Sequence, residues 1–247
     1  TTLHTIPTSD PDLSGKRLEL TLANIACQHG VSTHSASGDY RRYIMGSTQI
    51  GLLLILGPII SFLGWFFIYP GDGGSDSTAA EQAKQLMADP TLAKAGMLMG
   101  FGGMWAIFLG LLTVARGMAT AGGPGSSFAS VAAIFGLILL TLGAMAIGTE
   151  LAVVNASSAE LGGRIMEFGN SGQETFALTC GLLLVFLGIG IALAKNFPVI
   201  IAALMVIPGA LFTVSPIADA DGLGFIGWIG FMLVSLILGV LTIRSKS

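Results

Sequence analysis

Charge is what this sequence has least of. Only 10% of its 247 residues are Asp, Glu, Lys or Arg, whereas soluble domains carry roughly a quarter. So few charges cannot cover a water-facing surface, which excludes an ordinary soluble domain. The formal net charge of −3 provides no basic surface for nucleic acid, so no nucleic-acid partner is predicted.

Histidine and lysine are missing from the interior of the apolar stretches. All three histidines precede residue 44, so no intramembrane histidine supports a haem or a pigment. Lys94 and Lys195 lie at the ends of apolar segments, which disfavours a retinal-binding interpretation. The two cysteines lie in a polar and an apolar region and predict no disulfide. No metal site and no cofactor are predicted, but bound lipid is expected.

Long apolar runs make up most of the remaining chain. A bilayer core about 30 Å thick requires about 20 mostly apolar residues per helix. Six segments meet this requirement without the polar face of a soluble core helix: residues 44–69, 93–115, 128–149, 175–194, 197–216 and 223–243. The sequence predicts an all-α, polytopic bundle of six transmembrane helices over residues 44–247, preceded by a polar tail, residues 1–43.

The distribution of charge predicts the orientation of this bundle. Eight of the eleven basic residues lie in the tail or on connections of one face: Lys16, Arg17, Arg41, Arg42, Arg116, Lys195, Arg244 and Lys246. The opposite face holds ten of the fourteen acidic residues. The positive-inside rule therefore predicts that both termini are cytoplasmic, in a plasma or inner membrane.

A repeated pattern predicts that the six helices form three tandem hairpins. The second, fourth and sixth helices each contain Leu-Gly and end at a basic residue. The segments Thr78–Glu81 and Ser157–Glu160 both have the sequence of a capping box, which predicts a short surface helix in each of the first two hairpins. The alternative is that Leu- and Gly-rich helices with a basic end resemble each other without being a repeat.

Acidic residues near the membrane boundary are the candidate functional residues. Glu150 ends the third predicted helix and Glu174 begins the fourth, so the hairpin is expected to bring them together. Two close carboxylates would bind a cation or share a proton. Asp219 and Asp221 form an acidic turn on the same face, a second possible ion site. The alternative for Glu150 and Glu174 is that both are simply hydrated in the headgroup layer.

Small residues on the second helix predict close helix packing. Gly96, Gly100 and Gly103 would let two helix backbones approach each other. In a chain with 35 glycines, such a face indicates packing within the bundle more often than a dimer interface. Pro58 and Pro208 lie inside the first and fifth helices and predict kinks.

The turn Tyr69-Pro70-Gly71, the polar outer helix and the Leu-Gly-rich helix that ends at Arg116 resemble a loose group of uncharacterised bacterial multi-helix membrane proteins. These proteins are classed as domains of unknown function. The resemblance covers residues 45–247. It implies a compact helical bundle and no assigned activity.

Two functions are consistent with these features. The first is a non-catalytic structural or accessory subunit that packs against other membrane protein subunits in the lipid bilayer. The second is a small-solute or ion carrier that uses Glu150, Glu174 and the kinked helices. Catalysis is not favoured, because no activated nucleophile, phosphate-binding loop or supported acid–base pair is evident.

Overall fold

A computed structural model of the chain describes residues 48–70, 77–218 and 220–244. The predicted tail, residues 1–43, lies outside this described part. The described residues form seven α-helices and contain no strand: α1 (Thr48–Leu63), α2 (Ala79–Ala88), α3 (Pro90–Ala121), α4 (Ser126–Val154), α5 (Ala159–Ala194), α6 (Val199–Ala218) and α7 (Asp221–Arg244). A π-helical segment, Gly64–Ile68, extends α1.

Six of these helices are long and apolar enough to cross a membrane. They are α1 with its π-helical extension and α3 to α7. The prediction of a six-helix membrane bundle is therefore confirmed, and the chain is a multi-pass integral membrane protein in a lipid environment. Several helices are longer than predicted. The largest difference is in α5, which begins at Ala159 and not at residue 175.

The six spanning helices form a closed ring. The predicted pairs α1–α3, α4–α5 and α6–α7 pack together, but α3–α4 and α5–α6 also pack, and α7 closes onto α1. The three hairpins are therefore parts of one continuous bundle and not separate units.

A cluster of four phenylalanines fills the centre of the ring. The Phe108 ring centroid lies 5.6 Å from that of Phe176 and 5.8 Å from that of Phe231, and Phe212 lies 6.3 Å from Phe231. Phe108 and Phe231 are fully buried. We call these four residues the phenylalanine floor, because a cavity lies directly above them.

One end of the bundle carries an extramembrane cap. The 36 residues of α5 span about 54 Å at 1.5 Å per residue, well beyond the ~30 Å bilayer core. The polar first half of α5 remains helical because α2 packs on it: a Cβ on Gly163 would come within 2.9 Å of Ala80 Cα. We call this end the acidic end, and the opposite end, with Arg116, Lys195 and Arg244, the basic end.

The first of the two predicted capping boxes forms and the second does not. The Thr78 backbone N–H donates to Glu81, and the Glu81 N–H donates to the Thr78 hydroxyl. The hydrogen bonds that the Glu81 carboxylate accepts from the Thr78 backbone N–H and hydroxyl lower its pKa, the backbone bond most. At the second site Ser158 caps α5 and Glu160 pairs with Arg164. Since α5 continues unbroken to Ala194, the second predicted surface helix is wrong as a separate element.

A candidate ligand cavity at the acidic end

A partly open cavity of about 760 Å³ lies inside the ring above the phenylalanine floor. Its size is within the range of small-molecule sites. All six spanning helices contribute to its walls, and α2 contributes Gln82. The deeper walls are apolar and include Phe101, Met104, Leu142 and Met145, whereas the upper walls carry polar groups, including Tyr69, Thr149, Glu150, Asn170, Ser171 and Gln173.

The charged group of this cavity is the Glu150 carboxylate, which accepts a hydrogen bond from Tyr69. The Tyr69 hydroxyl donates to Glu150 Oε2 at 2.7 Å. Burial raises the pKa of Tyr69, and the neighbouring Glu150 carboxylate raises it further, so the phenol stays protonated and remains a donor. Both side chains are half-buried.

Glu150 has unused capacity to accept hydrogen bonds. Within the described part of the chain, its hydrogen bond from Tyr69 involves Oε2 and leaves Oε1 without a partner. The ion pair found among the described residues joins Arg164 to Glu160, so no described cation neutralises Glu150. A carboxylate accepts up to about four hydrogen bonds. Glu150 can therefore receive a donor or a cation from a bound molecule.

Two glycines of α3 allow Tyr69 and Trp65 to lie where they do. A Cβ on Gly96 would come within 2.6 Å of the Tyr69 backbone nitrogen, and a Cβ on Gly100 would come within 2.6 Å of Trp65 Nε1. The third predicted packing residue, Gly103, lies against Gly57 and Ser61 of α1. The structure thus places Gly96, Gly100 and Gly103 at the α1–α3 contact.

The π-helical segment also shapes this wall. Its wide turn is closed by a hydrogen bond from the Tyr69 N–H to the Gly64 carbonyl oxygen at 2.9 Å, five residues back. The Trp65 ring makes edge contacts with Tyr69 at 4.8 Å and with Phe101 at 5.0 Å. Trp65 and Tyr69 therefore line the cavity, while Phe66 and Phe67 are exposed on the outer surface.

The structure does not place Glu174 in the cavity that Glu150 lines. Glu174 is exposed on α5 and does not line the cavity, although its neighbours Gln173 and Thr175 do. Asp219 and the side chain of Asp221 lie outside the described residues. Among the described side chains, no three His, Cys, Asp or Glu groups lie close enough to share a metal ion.

Sequence reasoning missed the aromatic residues of this site. The sequence pattern marks Tyr69 only as part of the Tyr69-Pro70-Gly71 turn, and no pattern marks Trp65 or Trp228. The signal that could have found Tyr69 is its position directly after an apolar helix, where a phenol has both a buried ring and a polar tip.

Comparison of the chain with family models, curated proteins and solved structures finds no match. The resemblance to bacterial membrane proteins of unknown function stays a prediction. The function of this protein is therefore argued from the chemistry of the cavity.

Proposed function

We propose that this protein binds a small amphipathic molecule bearing a protonated amine. The observation that supports this proposal is the half-buried Glu150 carboxylate, which has a free oxygen and no described counter-charge at the polar top of an apolar cavity. An amine supplies both the missing positive charge and the hydrogen-bond donor. The apolar walls below Glu150 suit a hydrocarbon body.

This proposal develops the carrier hypothesis but restricts its ligand. A cavity for a hydrated ion would need polar walls to replace the water shell, whereas the deeper walls here are Phe, Met and Leu. The phenylalanine floor fills the ring beneath the cavity, which favours a binding or carrier role over an open pore. An aromatic wall of Trp65, Phe101 and Trp228 adds cation–π attraction for the same amine.

We also propose that the basic end faces the cytoplasm and the acidic end the exterior, in a plasma or inner membrane. The support is the concentration of Lys and Arg on the basic side of the sequence and of Asp and Glu on the other. On this orientation, the cavity opens on the outer side of the membrane.

Fluorescence quenching in liposomes tests the proposed function. The probe is ω-bromo-undecylamine, whose bromine quenches tryptophan, and Trp65 and Trp228 line the cavity. We expect saturable quenching, and Glu150→Gln should weaken amine binding about 10- to 100-fold, since a hydrogen bond to a charged group contributes about 1.5–3 kcal/mol.

Two controls make the result specific. Glu174→Gln, at an exposed position outside the cavity, should bind the amine as the wild type does. The neutral analogue ω-bromo-undecanol should bind the wild type and Glu150→Gln with similar affinity. Non-saturable quenching, or equal amine affinity in the wild type and Glu150→Gln, would show that the cavity does not select an amine.

A structural or accessory subunit is the second candidate function. The surface on which a partner would pack is the exposed apolar face of α6, which includes Ile200, Leu204, Ile207, Val214 and Ile217, although lipid chains cover such a face equally well. A helix of another membrane subunit would pack against this face at 3- to 4-residue spacing. Purification in mild detergent tests this function: a defined complex that Ile207→Trp disrupts would support it, and a lone monomer would oppose it.

A further inference from the structure

We propose that the amine reaches the cavity from within the bilayer, by passing between α1 and α7. This inference rests on the proposed function and adds the source of the ligand: it is a lipid-dissolved amphiphile. The route passes between the side chains of four aromatic residues, which we call the aromatic seam: Phe62, Phe66, Phe225 and Trp228.

The aromatic seam is a wall about one side chain thick. Phe62 and Phe66 are 43% and 50% exposed on the surface that faces lipid, and Trp228 lines the cavity. The ring centroid of Trp228 lies 5.6 Å from that of Phe66 and 6.3 Å from that of Phe62. Phe225 is 54% exposed and also lines the cavity, so at this position one ring separates the cavity from the bilayer.

The contact between α1 and α7 differs along its length. Toward the basic end the backbones meet closely, because a Cβ on Gly51 would come within 2.8 Å of the Gly239 carbonyl oxygen. Toward the acidic end the contact is made by the large rings of Phe66 and Trp228. A close backbone contact cannot open without separating the helices, but a ring contact opens by rotation of side chains, and exposed side chains change rotamer in picoseconds to nanoseconds. The aromatic seam is therefore the part of this contact that can open.

Two neighbouring residues of the π-helical segment face in different directions, one toward the cavity and the other toward lipid. Trp65 lines the cavity, whereas Phe66 is exposed to lipid. Such wide turns occur mostly as single interruptions of α-helices and frequently at functional sites. Phe66 is consequently a residue of the route and not of the binding site.

The chemistry of the ligand favours this route over the aqueous side. The upper walls near Gln82, Asn170 and Gln173 are polar, and an alkyl chain would have to cross water to arrive there. Each methylene of the chain favours the bilayer over water. A lateral opening lets the apolar body remain in an apolar medium throughout, while the amine stays near the headgroup layer.

Binding kinetics in liposomes test the lateral route. In this experiment ω-bromo-undecylamine is preloaded into the bilayer and quenching is followed by stopped flow. The rate of quenching should depend on the mole fraction of the probe in the membrane and not on its total aqueous concentration. Phe66→Ala should raise the association and dissociation rates together, several-fold, and leave the equilibrium affinity nearly unchanged. Phe66→Trp should slow both rates.

Matched variants separate this route from the aqueous one. Phe67→Ala removes a neighbouring, 73% exposed phenylalanine whose ring contacts Phe62 but not Trp228, and it should change both rates much less than Phe66→Ala does. If the association rate follows the aqueous concentration of the probe and Phe66→Ala does not alter that rate, the lateral route is wrong while the proposed function stands. Loss of saturable binding in the wild type would instead overturn the proposed function itself.

Discussion

At the scale of single residues, the feature that matters most is the contact between Tyr69 and Glu150. The two residues are 81 positions apart in the chain, and each was recognisable alone as a polar group at the end of an apolar run. Their pairing was not predictable, because the expected partner of Glu150 was the acidic residue across the nearest hairpin. The π-helical turn and the glycines of α3 decide the pairing, and neither has a clear sequence signal.

The Tyr69–Glu150 hydrogen bond predicts a stability difference. Tyr69→Phe removes the donor and leaves a half-buried carboxylate without its described partner, which should lower the free energy of unfolding by about 1–3 kcal/mol. The double variant Tyr69→Phe/Glu150→Leu should recover most of this loss, because both polar partners are then removed. Unfolding in mixed detergent micelles measures both effects. A single variant as stable as the wild type would show that the bond contributes nothing to stability.

At the scale of elements, the glycines of α3 determine how closely α1 packs against this helix. The prediction of close packing at Gly96, Gly100 and Gly103 identified a surface, but not the residues packed on it. The bounds of α3 and α5 were less predictable. Apolar runs mark only the part of a helix that lies in lipid, whereas the first half of α5 is held by contacts with α2 outside that region.

Two adjacent glycines of α3 offer a matched test of this packing. Gly103→Ala would press a methyl group against the Ser61 backbone and to 2.5 Å from the Gly57 carbonyl oxygen. It should lower stability by about 1–3 kcal/mol, as overpacking does. Gly102→Ala, whose Cβ would have no atom within 4 Å, should be neutral or slightly stabilising because alanine favours a helix. Equal thermal midpoints for the two variants would contradict close packing at Gly103.

At the scale of the whole molecule, the number of spanning helices and their membrane class were predictable from composition and length. Closure of the ring was not, because lipid-facing and helix-facing apolar residues are alike in a membrane. For the same reason, a hydropathy pattern cannot reveal a cavity, because a cavity is a space between side chains that do not contact one another.

Cysteine labelling tests the proposed orientation. In a Cys27→Ser background, Ser157→Cys lies at the acidic end and Ala121→Cys at the basic end, both at exposed positions, and the remaining Cys180 is buried. A membrane-impermeant maleimide should label Ser157→Cys in intact cells and Ala121→Cys only after permeabilisation. The reverse pattern would place the acidic end in the cytoplasm.

The geometry of the cavity depends on how the π-helical segment is wound. A π-turn holds one residue more than an α-helical turn requires. If the same residues were wound as an ordinary α-helix, every later side chain would rotate by up to about 100° about the axis of α1. Tyr69 would then turn away from Glu150 with no change in its own identity. A single-codon deletion there removes the extra residue and is therefore expected to leave the direction of Tyr69 nearly unchanged, whereas substitutions that favour an ordinary α-helical turn without a deletion should turn Tyr69 away from Glu150.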